Sequence, residues 1–268
     1  MLDPRSVRPH RPARSSRALR WAGAVAAVVL GAGVAHADDD KAAPAKASPA
    51  KTAPAAAKAP STSPEARALA GEVQRFYAGI EGMQADFTQV VRKRGIKKGL
   101  RRKGKVWLKK GRVVPADKPG GKEQVEQGRM RWDYPDEEVF YFSDGDVLWT
   151  YERRERVALK LPVKDSRLYQ ATGYLLGQGD LAADFHLQVV PSPVKNTVAL
   201  EMVPKEGTAV MQKLTLVLDA KTKAVVASIL VDPLGDSTSL FFAELKYGAL
   251  EDKVFSWKPP AGVTIRTP

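Results

Sequence analysis

Arg129-Met130-Arg131-Trp132-Asp133-Tyr134 decides the fold, because every second residue is apolar and every intervening one is charged. Side chains of a β-strand point alternately to opposite faces, so Met130, Trp132 and Tyr134 share one face and the charges share the other. Such a strand belongs to a sheet with one face against a core and the other in water. The same period recurs outward along the chain. Val157, Leu159 and Leu161 alternate with Arg156, Ala158 and Lys160, and Leu214, Leu216 and Leu218 alternate with Lys213 and Thr215. Further strands are expected near 85–91, 103–110, 138–143, 147–152, 184–190, 197–203, 223–231, 238–247 and 253–257. Ser143-Asp144-Gly145 and Asp219 to Lys223 supply turns. Two stretches read differently. Ser63-Pro64 with Glu65 is a helix start, followed by Leu69, Val73, Phe76, Tyr77 and Ile80 at helical spacing. Asp165 to Gly177 is a second helical interruption, with Leu168, Tyr169, Leu175 and Leu176 as its apolar positions.

The chain is therefore mainly β (α+β), with about eleven or twelve antiparallel strands and two or three short helices. Two sheets packed as a sandwich satisfy this pattern. So does one strongly curved sheet that wraps its apolar face around the helices. The second arrangement makes a concave apolar surface under removable helices, which suits a greasy ligand.

Residues 1–37 read as a secretory signal peptide. Arg5, Arg8, Arg11, Arg14, Arg17 and Arg20 form a positive n-region, Trp21 to Val34 an apolar run, and Ala35-His36-Ala37 an A-x-A site. Cleavage after Ala37 and Sec-type export to the periplasm are expected. Residues 38–63 form an Ala/Pro/Lys/Ser linker with almost no large apolar side chain to offset its ordering entropy. Residues 64–268 are left as the folded domain, and no segment in them approaches 18 consecutive apolar residues.

The chain of 268 residues carries 43 Lys+Arg against 30 Asp+Glu, a net +13. That excess is unevenly spread. Residues 92–112 hold twelve basic residues and no acidic one, while the rest of 64–268 is net acidic at −5. The basic cluster Arg92, Lys93, Arg94, Lys97, Lys98, Arg101, Arg102 and Lys103 reads as a patch for a membrane or partner. A lysine-blunted strand edge is the plainer reading. Nucleic acid fits poorly, since an exported protein rarely meets it and only Trp107 in this stretch offers a stacking ring.

There is no cysteine, which removes a disulfide framework, a thiol nucleophile, a thiolate metal site and a lipid-anchored N-terminus. His186 is the single histidine after residue 37, so no Ser-His-Asp site assembles around it. There is no G-x-S-x-G, and Pro119-Gly120-Gly121-Lys122 lacks the rest of a phosphate loop. The residues point away from an enzyme and call for no cofactor and no metal.

In order along the chain come Ala85-Asp86-Phe87-Thr88-Gln89, Gly104 to Lys110, Arg131-Trp132-Asp133-Tyr134-Pro135, Phe142-Ser143-Asp144-Gly145 and Leu148-Trp149-Thr150-Tyr151. Leu175 to Leu181 through Phe185 and Phe255 to Val263 complete the series. This ordered set resembles the LolA-like family of periplasmic outer-membrane lipoprotein carriers over roughly residues 64–266. The resemblance implies an incomplete, strongly curved antiparallel β-barrel closed by short helices acting as lid or plug, with a cavity for acyl chains. It also implies a monomeric carrier that takes acylated lipoproteins from an inner-membrane lipoprotein-releasing ABC transporter to an outer-membrane acceptor, or to the outer membrane itself. A carrier of another lipid or glycolipid, or a binding or sensor module without transport, would keep the same fold.

Physics agrees with such a task. A 16-carbon chain carries about 12 kcal/mol of transfer free energy at ~0.8 kcal/mol per buried CH₂. On the match, Phe76, Phe87, Val106, Leu108, Met130, Trp132, Phe142 and Leu176 are expected to line the acyl cavity. The family's Arg-Pro lid latch is replaced by Lys110-Gly111 and an insertion over about 111–127, so Lys110 is expected at the latch, with Arg112 or Arg129 as substitutes.

Overall fold

The alternation first seen at Arg129–Tyr134 runs through one continuous sheet. The computed structural model describes residues 61–114, 124–163, 173, 179–208 and 211–267. Helix α1 (Pro64–Ala78) leads into β1 (Gly82–Arg92), β2 (Leu100–Lys109), β3 (Arg112–Val114), β4 (Gln124–Glu126) and β5 (Arg129–Tyr134). Then follow β6 (Val139–Ser143), β7 (Val147–Glu152), β8 (Val157–Pro162), helix α2 (Leu181–Asp184), β9 (Phe185–Val190) and β10 (Thr197–Pro204). The chain continues through β11 (Lys213–Asp219), β12 (Val225–Val231), β13 (Ser237–Tyr247) and β14 (Thr264–Arg266). Twelve of these strands pair in the order β14-β8-β7-β6-β5-β2-β1-β13-β12-β11-β10-β9. Each pairing is antiparallel except β14 with β8. The end strands β14 and β9 do not meet, so this is the curved, unclosed sheet and not the sandwich.

Two irregularities bend it. The β1–β13 register shifts between Gln84 and Asp86, beside Glu244 with its φ of 51°. The β11–β12 register shifts between Val217 and Leu218. An extra residue on one strand of a pair increases twist and bends that strand.

Helix α1 starts where the sequence signals place it. Ser63 caps it, its Oγ accepting from the Ala66 amide at 3.1 Å, and Pro64 takes the first turn, where a missing N–H is harmless. Ala66, Leu69, Ala70, Val73 and Tyr77 form its buried stripe, laid against the concave side of the sheet. The residues just before it cover the β9 edge. The Ser63 amide donates to the Leu187 carbonyl at 3.3 Å, and the Leu187 amide donates to Thr62 Oγ1 at 3.1 Å.

Three departures from the sequence reading follow. The strand expected near 253–257 is instead a 3₁₀ turn, Asp252–Val254, followed by chain that crosses the outer face of the sheet. Phe255 is buried there without a ladder, and Pro259-Pro260 could not donate to one. The segment expected as an insertion holds β3 and β4, paired as a separate hairpin. The third is β14, a three-residue edge strand that no alternation announces. The helical interruption over 165–177 apart from residue 173, and all of 1–37 and most of 38–63, lie outside the described residues.

Candidate functional site

The concave wall is built from the inward positions of adjacent strands. Met83, Ala85 and Phe87 of β1, Val106 and Leu108 of β2, and Met130, Trp132 and Tyr134 of β5 are each at most 5% exposed. Register brings them together. Met83 stands opposite Leu108 and Ala85 opposite Val106, while across the next seam Leu108 faces Met130 and Val106 faces Trp132. Phe87 stands opposite Gly104, where a Cβ would lie 2.6 Å from Phe87 Cζ and 2.1 Å from the Asp133 carbonyl oxygen. The missing side chain lets the Phe87 ring lie across β2 and meet the rings of Trp132 and Tyr134 edge-on, at 5.1 Å each. Leu187, Leu200, Met202 and Leu216 make the opposite wall, and Leu69, Val73 and Tyr77 of α1 belong to the same buried cluster. The helix thus covers the apolar wall of the sheet.

Lys110 extends β2 and reaches the end of that helix. Its Nζ donates to the Tyr77 carbonyl at 3.1 Å, an oxygen that also accepts from the Ile80 amide at 3.2 Å, at the helix end where the dipole favours a cation. Its backbone amide donates to the Glu81 carbonyl at 2.7 Å. Arg112 is engaged elsewhere, its Nε donating to Glu126 at 2.8 Å, and Arg129 pairs with Asp252 at 2.7 Å. Further ties on α1 are Gln74 Nε2 to the Gly179 carbonyl at 2.7 Å and the Val225 amide to Tyr77 Oη at 3.0 Å. Burial holds the Tyr77 hydroxyl well above the ordinary phenol range, so it stays neutral.

Toward the β1–β2 turn the wall becomes polar. Gln89 is fully buried opposite Arg102, whose guanidinium lies 3.5 Å from Glu137. Trp132 Nε1, Tyr134 Oη and Glu137 Oε2 are buried without a hydrogen-bond partner. Burial also raises the Tyr134 and Tyr141 hydroxyls far above their usual pKa.

The candidate residues separate accordingly. Phe87, Val106, Leu108, Met130 and Trp132 come together on the concave wall. Phe76 sits half-buried at its margin, 5.4 Å from the Tyr247 ring, and its neighbour Tyr77 is the side chain that points in. Phe142 is a correction: it faces outward, in register with Arg131 and Trp149, and stacks on Trp257 at 5.3 Å. The run Val139–Ser143 is buried throughout, so alternation alone did not say which face each ring took. Tyr141, opposite Trp132, is the inward ring that was missed, and carrying the β5 register across to β6 would have found it. Leu176 lies outside the described residues.

Of the basic cluster, Arg92, Lys93, Arg94, Lys97, Lys98, Arg101 and Lys103 are exposed around the β1–β2 turn, whereas Arg102 turns inward. Among the described residues no group of three His, Cys, Asp or Glu side chains stands ready for a metal. No described helix is long and apolar enough to cross a membrane.

The sequence matches the family model described as outer membrane lipoprotein carrier protein LolA over residues 78–258. Comparison with curated proteins gives no match. Among solved structures, an uncharacterized conserved protein from Thermus thermophilus aligns at 12% identity and a TM-score of 0.45, over 76% of this chain and 99% of its own. A LolA superfamily protein from Nitrosomonas europaea aligns at 13% identity and 0.39, over 72% and 97%. Lipoprotein LppX from Mycobacterium tuberculosis aligns at 10% identity and 0.40, over 70% and 99%.

Proposed function

The chain belongs to the LolA outer membrane lipoprotein carrier family, and from that premise we propose that it is a periplasmic acyl-chain carrier. In this reading residues 1–37 direct export and are cleaved after Ala37, residues 38–63 tether, and residues 64–268 carry cargo as a monomer. The cargo is an acylated lipoprotein, received from an inner-membrane releasing transporter and passed to the outer membrane or an acceptor there. No reaction is catalysed and no cofactor is used.

One observation carries the reading. The concave wall is lined by fully buried apolar side chains, yet what fills it is an amphipathic helix held at its end by Lys110. Displacing α1 exposes a contiguous apolar trough, and an acyl chain can then replace the helix side chains at little net change in buried apolar area. Energy is needed only to extract the chain from its first membrane, and the releasing transporter supplies it.

Mass spectrometry of ligand co-purifying with the protein from the periplasm tests this. Triacylated lipoprotein is the expected result. A free lipid or glycolipid would keep the carrier and change its cargo. Absence of any acyl ligand, together with failure to bind a fluorescent fatty acid, would remove the carrier reading.

A further inference from the structure

Two turns meet at one end of the sheet, the β1–β2 connection over 93–99 and the β12–β13 connection over 232–236. Asp236 joins them, accepting from Lys93 Nζ at 2.5 Å and from the Arg94 amide at 2.8 Å. Gly235 packs against Arg94, whose Cδ would stand 3.0 Å from a Cβ at that position. Asp232 is buried within its own turn, accepting from the Leu234 and Asp236 amides at 2.9 Å each. Asp236 is therefore matched by Lys93, and Asp232 spends Oδ1 on its own turn while its Oδ2 stays buried without a partner.

The junction presents two kinds of side chain. Leu234 is 64% exposed, Ile96 58% and Leu100 52%, the three most exposed large apolar side chains among the described residues. Around them Arg92, Arg94, Lys97, Lys98, Arg101 and Lys103 are exposed, and residues 92–103 contain no acid. The neighbouring turn over 135–138 offsets little of this charge, since Asp136 is its one exposed acid without an ion pair. Its Glu137 faces Arg102, and its Glu138 pairs with Arg154 at 3.0 Å.

A solvated charged edge gains nothing from leucine and isoleucine at its apices, and residues 92–103 and 232–236 hold no aromatic ring to stack on a base. An anionic bilayer serves both kinds at once. Its interface takes up aliphatic side chains, and its phosphates attract lysine and arginine. We propose that this double-turn tip docks on an anionic lipid bilayer, with Ile96 and Leu234 entering the interface and the surrounding cations meeting headgroup phosphates. The proposal adds a docking surface to the carrier reading and does not depend on it.

Flotation of the full chain with phosphatidylglycerol vesicles, and separately with phosphatidylcholine vesicles, tests it. Every variant carries the same first sixty residues, so differences between variants report the tip alone. Binding to the anionic vesicles is expected, weakening with salt and by about fivefold for each of Lys97→Ala and Lys98→Ala. Ile96→Ser with Leu234→Ser is expected to lower it by roughly tenfold or more at unchanged melting temperature. Equal partitioning of wild type and the serine double variant would overturn the proposal. So would absence of wild-type binding to anionic vesicles, including the case in which an acidic protein surface retains the chain instead. Fatty-acid probe binding, measured on the same samples, distinguishes loss of docking from loss of the acyl site.

Discussion

Lys110 Nζ lies 3.1 Å from the carbonyl oxygen of Tyr77, so the end of a strand on the sheet grips the last turn of the helix that fills its trough. Removing that grip should ease the helix away. Lys110→Leu is expected to cost about 1 kcal/mol of stability, the size of a partly solvated charge-assisted hydrogen bond. It should also speed amide exchange over Val73–Ala78 and accelerate uptake of a fluorescent fatty acid, and Lys110→Arg should restore both. Unchanged exchange and uptake in Lys110→Leu would remove the residue from the latch.

Leu108 and Trp132 are each 1% exposed on the concave wall. Leu108→Glu or Trp132→Glu places an ionisable group where an acyl chain should lie, and either is expected to abolish probe binding. Phe142→Ala removes a ring on the other face, so it should lower the melting temperature and leave probe affinity intact. Binding retained by both glutamate variants would place the acyl site elsewhere.

Gly104 has no room for a methyl group, since a Cβ there would meet backbone on one side and the Phe87 ring on the other. Gly104→Ala should destabilise the protein by roughly 1–3 kcal/mol, and Phe87→Leu in the same chain should recover part of that loss. Denaturant melts of the two single variants and the double variant give the coupling directly.

Tyr134 buries its hydroxyl with no hydrogen-bond partner. Leaving such a group dry costs on the order of 1–3 kcal/mol, so Tyr134→Phe is expected to raise stability. Thermal melts without cargo check the sign, and a lower melting temperature would show that the hydroxyl has a favourable contact.

Asp236 has its carboxyl held below the ordinary aspartate range, chiefly by the Lys93 ammonium that it accepts from. A depressed pKa contributes stability above the unfolded aspartate value, and that contribution is lost as pH falls through the folded one. Asp236→Asn should therefore be less stable than wild type near neutrality, with the gap closing only below about pH 4. Urea melts across acid pH measure it. A gap that persists at the lowest pH would assign the loss to packing.

Strand periodicity made the sheet legible from sequence because one face is solvated along most strands, as Arg129–Tyr134 shows. It failed where both faces are covered. Val139–Ser143 carries rings on each side, and only its register against Met130 and Trp132 assigns Tyr141 inward and Phe142 outward. Phe76 and Tyr77 were ambiguous for a related reason, since adjacent helix positions lie about 100° apart and either can border the apolar stripe. The junction of the β1–β2 and β12–β13 turns was invisible, because Asp236 and Lys93 are 143 residues apart and no local pattern joins them.

Four of the five tryptophans fall within the described residues, and they are not equivalent. Trp149 and Trp257 pack in the outer aromatic cluster, and Trp107 lies under the Arg131 guanidinium. Trp132 alone faces the trough, in contact with Phe87. The remaining one, Trp21, sits in the leader expected to be cleaved. On the proposed carrier reading, Trp132 would serve as an optical gauge of loading. Brominated acyl chains should quench the emission of a single indole, and the three outside should keep shining whatever the trough contains.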